Sequence, residues 1–401
     1  MLIYSLPLGP ALADVNQMAE HYIVYPFMAI GMDVKTLEAS QGKGEYQYSK
    51  SAEEKSLSGI VYELDWSELL GVKGQLDTEY AVSKVEGENI INQITIRFPD
   101  KADREQLIGN ISAVLGTPAD EGKVEKAPYV YCAKWYKEGI LYELQDYGTY
   151  IKMHINHAKF TDGKEYNLPE DMFVLAKQKA DINGDGKKEF VSIIGKRRYE
   201  DSIYMENINI LVEPLNGEKG YAISLGEYDG GYLPGMELWD FTGDEIPEVM
   251  VSIPTGGSGG ITDYYIYSLK DKPELIFDPE KVSVEIEGEF VENYKGKIHA
   301  RDPKGALDII ATIDLKDRKD VYDELEIYKD GKLVKDMYHE LMPYQLYGLI
   351  KAVDVDNDGV MELEAYQSVR GCCNADFVAN IITFWKWEND GWNLHRIAVE
   401  N

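Results

Sequence analysis

Apolar and polar positions follow two regimes along the chain. Up to about residue 165, helical spacing alternates with strand-like runs. Residues 33–41 (DVKTLEASQ) and 103–115 (DREQLIGNISAVL) each read as a short helix, stopped by Gly42 and Gly44 in one case and by Gly116 and Pro118 in the other. Strands are expected behind both. Residues 59–65 (GIVYELD) and 139–146 (GILYELQD) are self-similar and each stands behind a helix-then-glycine segment, which predicts a duplicated helix-plus-sheet unit. Residues 155–169 (INHAKFTDGKEYNLP) are polar, carry glycine and proline, and read as a linker. Beyond them come strand-like runs such as FVSII (190–194), INILV (208–212), EVMVSI (248–253), YYIYSL (264–269) and IITFWKW (381–387), separated by turns rich in glycine and aspartate. Only 335–349 offers a short helix, interrupted at Pro343. The expectation is a mainly β protein, with an α+β module over 14–165 and a β-repeat domain over 172–401.

Composition narrows what such a chain can bind. With 401 residues, 44% of them hydrophobic, it can bury a sizeable core. Against 71 acidic residues stand 41 basic ones, a net charge of −30, which excludes a general attraction to nucleic-acid phosphates or anionic lipid and favours cations. No run approaches the roughly 20 apolar residues of a membrane span. Residues 1–13 (MLIYSLPLGPALA) are apolar with a small-x-small ending before Asp14 and resemble a shortened signal peptide, although no basic residue precedes Lys35. Export, to the medium or the cell surface, is the expectation. Three cysteines, Cys132 and the adjacent Cys372 and Cys373, are too few for a disulfide framework and read as unbridged.

Three segments repeat one spacing. Asp181, Asn183, Asp185 and Glu189; Asp240, Thr242, Asp244 and Glu248; and Asp354, Asp356, Asp358 and Glu362 place side-chain oxygens at positions 1, 3, 5 and 9 of a loop that leads into a strand. Several carboxylates in one tight turn repel each other unless a cation neutralises them. Calcium takes roughly 6 to 8 oxygen ligands at about 2.3–2.6 Å, and such a loop can wrap it, with a backbone carbonyl at position 7 completing the set. Glycines at position 4 or 6 (Gly184, Gly186, Gly243, Gly359) permit the sharp turn. An EF-hand would need its glutamate at position 12, where Ser192, Val251 and Ala365 stand, and helices on both sides.

The loops and their flanking strands resemble the calcium loops of FG-GAP or VCBS repeats, found in integrin-like β-propellers and many exported bacterial proteins. That resemblance covers roughly 172–401 and implies up to three Ca2+ ions. It makes Asp181, Asn183, Asp185 and Glu189 side-chain ligands with the carbonyl of Lys187. Asp354, Asp356, Asp358 and Glu362 do the same with the carbonyl of Val360. The middle loop, Asp240, Thr242, Asp244, Glu248 and the Ile246 carbonyl, departs from the pattern through its threonine and through Glu245 where glycine is usual. The loops start 59 and then 114 residues apart, the second interval being twice 57, so a unit without ligands is expected near residues 297–301 (KIHAR). Four units of this length suit a small propeller-like array, with a β-sandwich carrying calcium loops as the other architecture. For the N-terminal module the relaxed resemblance is to small tandem modules of bacterial envelope proteins in which a helix packs on a curled antiparallel sheet.

Other motifs read as structural. Gly256-Gly-Ser258-Gly-Gly260 matches a nucleophile elbow in letters, but the following ITDYYIYSL is strand-like where an elbow needs a helix. His154 and His157 lack a nearby cysteine or glutamate to complete a zinc set. The 29 tyrosines suit sheets exposed on one face, and Trp385, Trp387 and Trp392 suit a core closed by the last strands. The reading is an exported calcium-binding protein, a binder more than an enzyme, that serves adhesion or recognition of a protein or glycan at a bacterial cell envelope. The competing reading is a secreted hydrolase of cell-wall or polysaccharide material with the repeats as accessory module.

Overall fold

The computed structural model describes residues 29–30, 32–49, 56–72, 74–85, 87–160, 166, 168–169, 171–199, 202–215, 219–226, 229–334 and 339–401; the leader-like segment 1–13 lies outside them. Strands dominate, and the described residues fall into two compact units, one of 29–180 and 186–236, the other of 181–185 and 237–401.

The first unit begins with helix α1 (Val34–Gln41) and strands β1 (Glu45–Tyr48), β2 (Leu57–Asp65), β3 (Gln75–Val85) and β4 (Glu88–Arg97), with the single turn α2 (Ser67–Leu70) between β2 and β3. Helix α3 (Arg104–Leu115) then precedes β5 (Asp120–Lys123), β6 (Tyr131–Lys137), β7 (Ile140–Asp146) and β8 (Ile151–His157). The layout is one helix and one four-stranded meander, twice. The meanders join by their last strands, in the order β1-β2-β3-β4-β8-β7-β6-β5, with Ile94 opposite Ile155 and Ile96 opposite Met153. Period-two alternation puts Leu76, Tyr80 and Val82 of β3, Tyr142 and Leu144 of β7 and Met153 and Ile155 of β8 in the core, onto which the helices lay Val34, Leu37, Leu107 and Ile111. Both helices start and stop as their sequence dictates: Asp33 accepts the amide of Thr36, Asp103 accepts those of Glu105 and Gln106, and Gly42 and Gly116 end them at positive φ. The self-similar heptapeptides, however, lie in the second strand of one meander and the third of the other, so they do not mark equivalent strands.

Of residues 155–169, expected as a linker, the described stretch 155–160 is tied into the sheet instead. Strand β8 runs to His157, and then Val174 donates to the carbonyl of Ala158 (2.7 Å) and Phe160 to that of Met172 (2.9 Å), while Ala158, Met172 and Val174 share a small apolar cluster with Ile194 and Leu211. Polar composition hid these apolar positions. Strands β9 (Met172–Ala180), β10 (Glu189–Arg197), β11 (Tyr204–Pro214) and β12 (Tyr221–Ser224) therefore form an antiparallel meander within this unit, β13 (Gly231–Tyr232) also pairing with β11.

Three further meanders follow, in the second unit from residue 237 onward. They are β14 (Gly235–Trp239), β15 (Glu248–Pro254), β16 (Thr262–Ser268) and β17 (Glu274–Phe277); then β18 (Glu285–Val291), β19 (Lys295–Arg301) and β20 (Asp308–Asp314). After helix α4 (Lys319–Glu324) and the hairpin β21 (Tyr328–Lys329) and β22 (Lys332–Leu333), strands β23 (Met342–Pro343) and β24 (Leu349–Val353) both pair with β25 (Glu362–Arg370), which continues to β26 (Phe377–Trp387) and β27 (Trp392–Glu400). One apolar core unites these sheets. Trp392 packs on Phe241 and Phe277 at ring-centroid distances of 5.8 and 6.0 Å and donates its Nε1–H to the carbonyl of Ile276 (2.9 Å). Trp385 is buried in the same core and Trp387 packs against it. The helix expected over 335–349 is absent among its described residues, because the amides of Tyr344 and Gly348 bond to the carbonyls of Ser368 and Tyr366 and the chain runs beside β25.

Candidate metal centre

The three acidic loops occupy one topological position. Residues 181–189 connect β9 to β10, 240–248 connect β14 to β15, and 354–362 connect β24 to β25, each time the first and second strands of a meander. The glutamate at position 9 is the first residue of the second strand in every case. Glu189, Glu248 and Glu362 are only 4%, 1% and 5% exposed, and they are the buried glutamates among the described residues. A carboxylate withdrawn from water is costly unless a cation, a proton or several donors meet it.

The loop side chains fold back on their own backbone. At position 1, Asp181 Oδ1 accepts the amide of Gly184 (2.8 Å), Asp240 accepts those of Gly243 and Glu245 (2.7 and 2.8 Å), and Asp354 accepts those of Asp358 and Gly359 (both 3.1 Å). Glu248 and Glu362 each take the amide of loop position 2, Phe241 or Val355, at 2.9 Å. These bonds hold the carboxylates toward the loop interior.

The third loop gathers its acids best: one oxygen from each of Asp354, Asp356 and Glu362 lies within 4.8 Å of the others, a set of hard donors suited to calcium. Glu362 Oε1 is buried and faces Lys386 Nζ as an ion pair at 3.0 Å. Asp356, 2.8 Å from the same ammonium, is held below the usual carboxylate range by it, and Lys386 is raised in turn, first by Asp356 and then by Glu362. In the second loop Thr242 donates to Glu248 Oε1 (3.2 Å), spending at this site an oxygen that the first and third loops offer as amide or carboxylate. Glu248 is pushed up to about 7, chiefly by burial and also by Asp244 and Asp240, against the Phe241 and Thr242 donors. Burial likewise works to raise Asp244, but Lys270 at 2.9 Å and the Ile246 amide outweigh it and leave it low. In the first loop Asn183 Oδ1 accepts the Asp185 amide (2.9 Å), while Lys187 and Glu189 belong to the other compact unit.

Loops also touch one another within the second unit. Gly184, at position 4 of the first loop, packs against the position-7 side chain of the second, Ile246, and Gly243 stands in the same relation to Val360 of the third. The Met361 amide donates to the Asp240 carbonyl (2.8 Å). The meander without ligands is β18-β19-β20: its first turn, residues 292–294, has Asn293 and Tyr294 at positive φ, and KIHAR lies inside β19.

Lys270 and Lys386 were not legible as site residues, since only strand pairing brings them to loops some thirty residues earlier in the chain. His154 and His157, three apart on β8, face opposite sides and bond to Thr95 and to Ile30 and Arg197, so they do not converge. Ser258 accepts a hydrogen bond from Asn374 (3.0 Å) in a turn that leads into β16, not into a helix. All three cysteines are unbridged, and among the described residues no helix is long and apolar enough to cross a membrane.

Comparison with known proteins gives a partial match. Residues 284–400 match the YybI C-terminal domain family, and the family matched is this one rather than an FG-GAP or VCBS family. The chain is similar to the uncharacterized protein YybI of Bacillus subtilis (strain 168), 29% identical over 231 residues, which is 56% of this chain and 84% of that protein. A superposition on the Dos1 propeller structure covers 89% of this chain and 74% of that one, with 11% identity and a TM-score of 0.24, a score that carries no weight for the fold.

Proposed function

We propose that the chain is a calcium-binding β-repeat protein, its acidic loops related to those of FG-GAP and VCBS repeats. The observation that carries this reading is the recurrence of a buried glutamate at position 9, opening the second strand of a meander, behind a turn of two or three further oxygen side chains. In donor chemistry a hard dication is suited by Asp240, Asp244 and Glu248 in the second loop and by Asp354, Asp356, Asp358 and Glu362 in the third, and Asp181, Asn183 and Asp185 bring the same donor types in the first. An ion would neutralise acids that otherwise repel, within a chain of net charge −30. Stabilisation rises as the logarithm of free calcium over its dissociation constant, about 2.7 kcal/mol at a hundredfold excess, so loops of moderate affinity work at extracellular calcium. This supports placement outside the cytosol, at a cell envelope, in adhesion or recognition of a protein or glycan.

Thermal unfolding with calcium and with EDTA tests it. The melting temperature should rise by several degrees with calcium and much less with magnesium, and elemental analysis should find bound calcium. Asp185→Ala and Asp358→Ala should each weaken binding by about tenfold or more. A melting temperature indifferent to EDTA, in protein that holds no calcium, overturns the proposal.

A further inference from the structure

We propose that Lys386 is the resident cation of the third loop, and that a divalent ion enters this loop only by displacing the lysine. The inference rests on the calcium reading of the loops. Its starting point is register. Trp385 pairs with Leu363, the residue after Glu362, so Lys386 on β26 stands across from the position-9 glutamate. Its Nζ lies 2.8 Å from Asp356 Oδ2, 3.0 Å from Glu362 Oε1 and 3.5 Å from Asp358 Oδ2, at the focus of three of the four ligand carboxylates.

A second observation points the same way. Glu362 Oε1 is buried, and its charge is met by the Lys386 ammonium at 3.0 Å. An ammonium held by its own chain costs no translational entropy, so it competes effectively with a dissolved ion for the same oxygens. The other loops differ at the corresponding place. Opposite Glu189 stands Pro214, which carries no charge. In the second loop Val249 pairs with Tyr267, and the nearby Lys270 reaches Asp244 alone among the position-1, -5 and -9 acids. The third loop thus combines four carboxylates with an internal competitor for three of them. Richness in acids alone does not rank the loops by affinity; the residue across the strand matters as much.

Isothermal calcium titration of the full chain tests this, comparing the parent with Lys386→Met, Lys386→Gln and Lys386→Arg. The methionine and glutamine variants should bind calcium at the third loop at least tenfold more tightly than the parent, a gain abolished by adding Asp356→Asn. The arginine variant should keep the parent's weak affinity. In EDTA, Lys386→Met should melt below the parent and recover with calcium, and Lys386→Gln gives the same reading should the methionine variant fold poorly. Calcium binding by the parent with no gain in either neutral variant overturns the inference and leaves the calcium reading intact. No calcium bound by the parent, by the neutral variants or at the first loop, judged by Asp181→Asn, overturns both.

Discussion

His157 shows how a single half-buried group sets a pH limit. Arg197 donates to its Nδ1 (3.0 Å), so the ring's proton sits on Nε2 and points to the carbonyl of Ile30 (3.2 Å). Burial first, and the Arg197 charge second, push its pKa down to about 4. The unfolded chain therefore takes up this proton near pH 6.5 and the folded one only near 4, so stability contributed above pH 6.5 drains away as pH falls between them. The loss should reach roughly 2 to 3 kcal/mol, and urea unfolding at pH 7 and pH 5 should show the parent falling by more than His157→Gln. Equal pH dependence in both would remove the argument. At Gly184, φ is +74° and a side chain would meet Ile246 of the next loop, so Gly184→Ala should cost about 1 to 3 kcal/mol by denaturant unfolding, against near-neutrality at an open loop glycine with negative φ. The ligand residues themselves are legible from spacing, since each is written into nine contiguous positions. Lys386 is not, because its relevance comes from pairing between strands.

At the scale of elements, local chemistry is enough to set the two helices. Asp103 accepts two first-turn amides, and Asp103→Ala should cost about 1 kcal/mol in equilibrium unfolding, with a smaller cost on Asp103→Ser, which can still cap. Strands β10, β11, β15, β16 and β26 could likewise be read from their β-branched and aromatic runs. Failures occur where a partner strand decides. Residues 335–349 have a helical look that, over the described 339–349, β25 overrides by offering backbone partners, and 158–160 look like linker until paired with 172–174. The heptapeptide pair misleads for a related reason: a half-buried strand with one solvated face draws on few residue types, so similar strings arise at non-equivalent places.

On the scale of the whole molecule, charge is the dominant fact. With a net charge of −30, the chelated protein should melt a few degrees higher when sodium chloride is raised from low to near-molar concentration, as screening relieves repulsion, and calcium should narrow that gain. A melting temperature that falls with salt would show that attractive pairs prevail instead. Loop spacing anticipates four meanders, and four are present from β9 onward, but the unit without ligands turns at 292–294. Three residues suffice there where the others use longer acidic connections, and spacing alone cannot reveal a deletion inside one unit. The division into compact units was also beyond reach, because the chain changes unit at 180/181 and 185/186 around the first acidic loop and again at 236/237 inside β14, none of them marked by a linker-like stretch.

The seam between the two helix-and-meander halves has a further consequence. Sheet continuity across it is carried by β4 and β8, from Ile94–Ile155 to Arg97–Lys152, whereas the covalent link is the short passage from Phe98 to Asp103. A polypeptide severed in that passage becomes two pieces, each with its own helix and meander, and with β4 in one piece and its partner β8 in the other. Co-expressed as separate fragments, they should find one another and refold as a nicked whole, a ready-made split reporter.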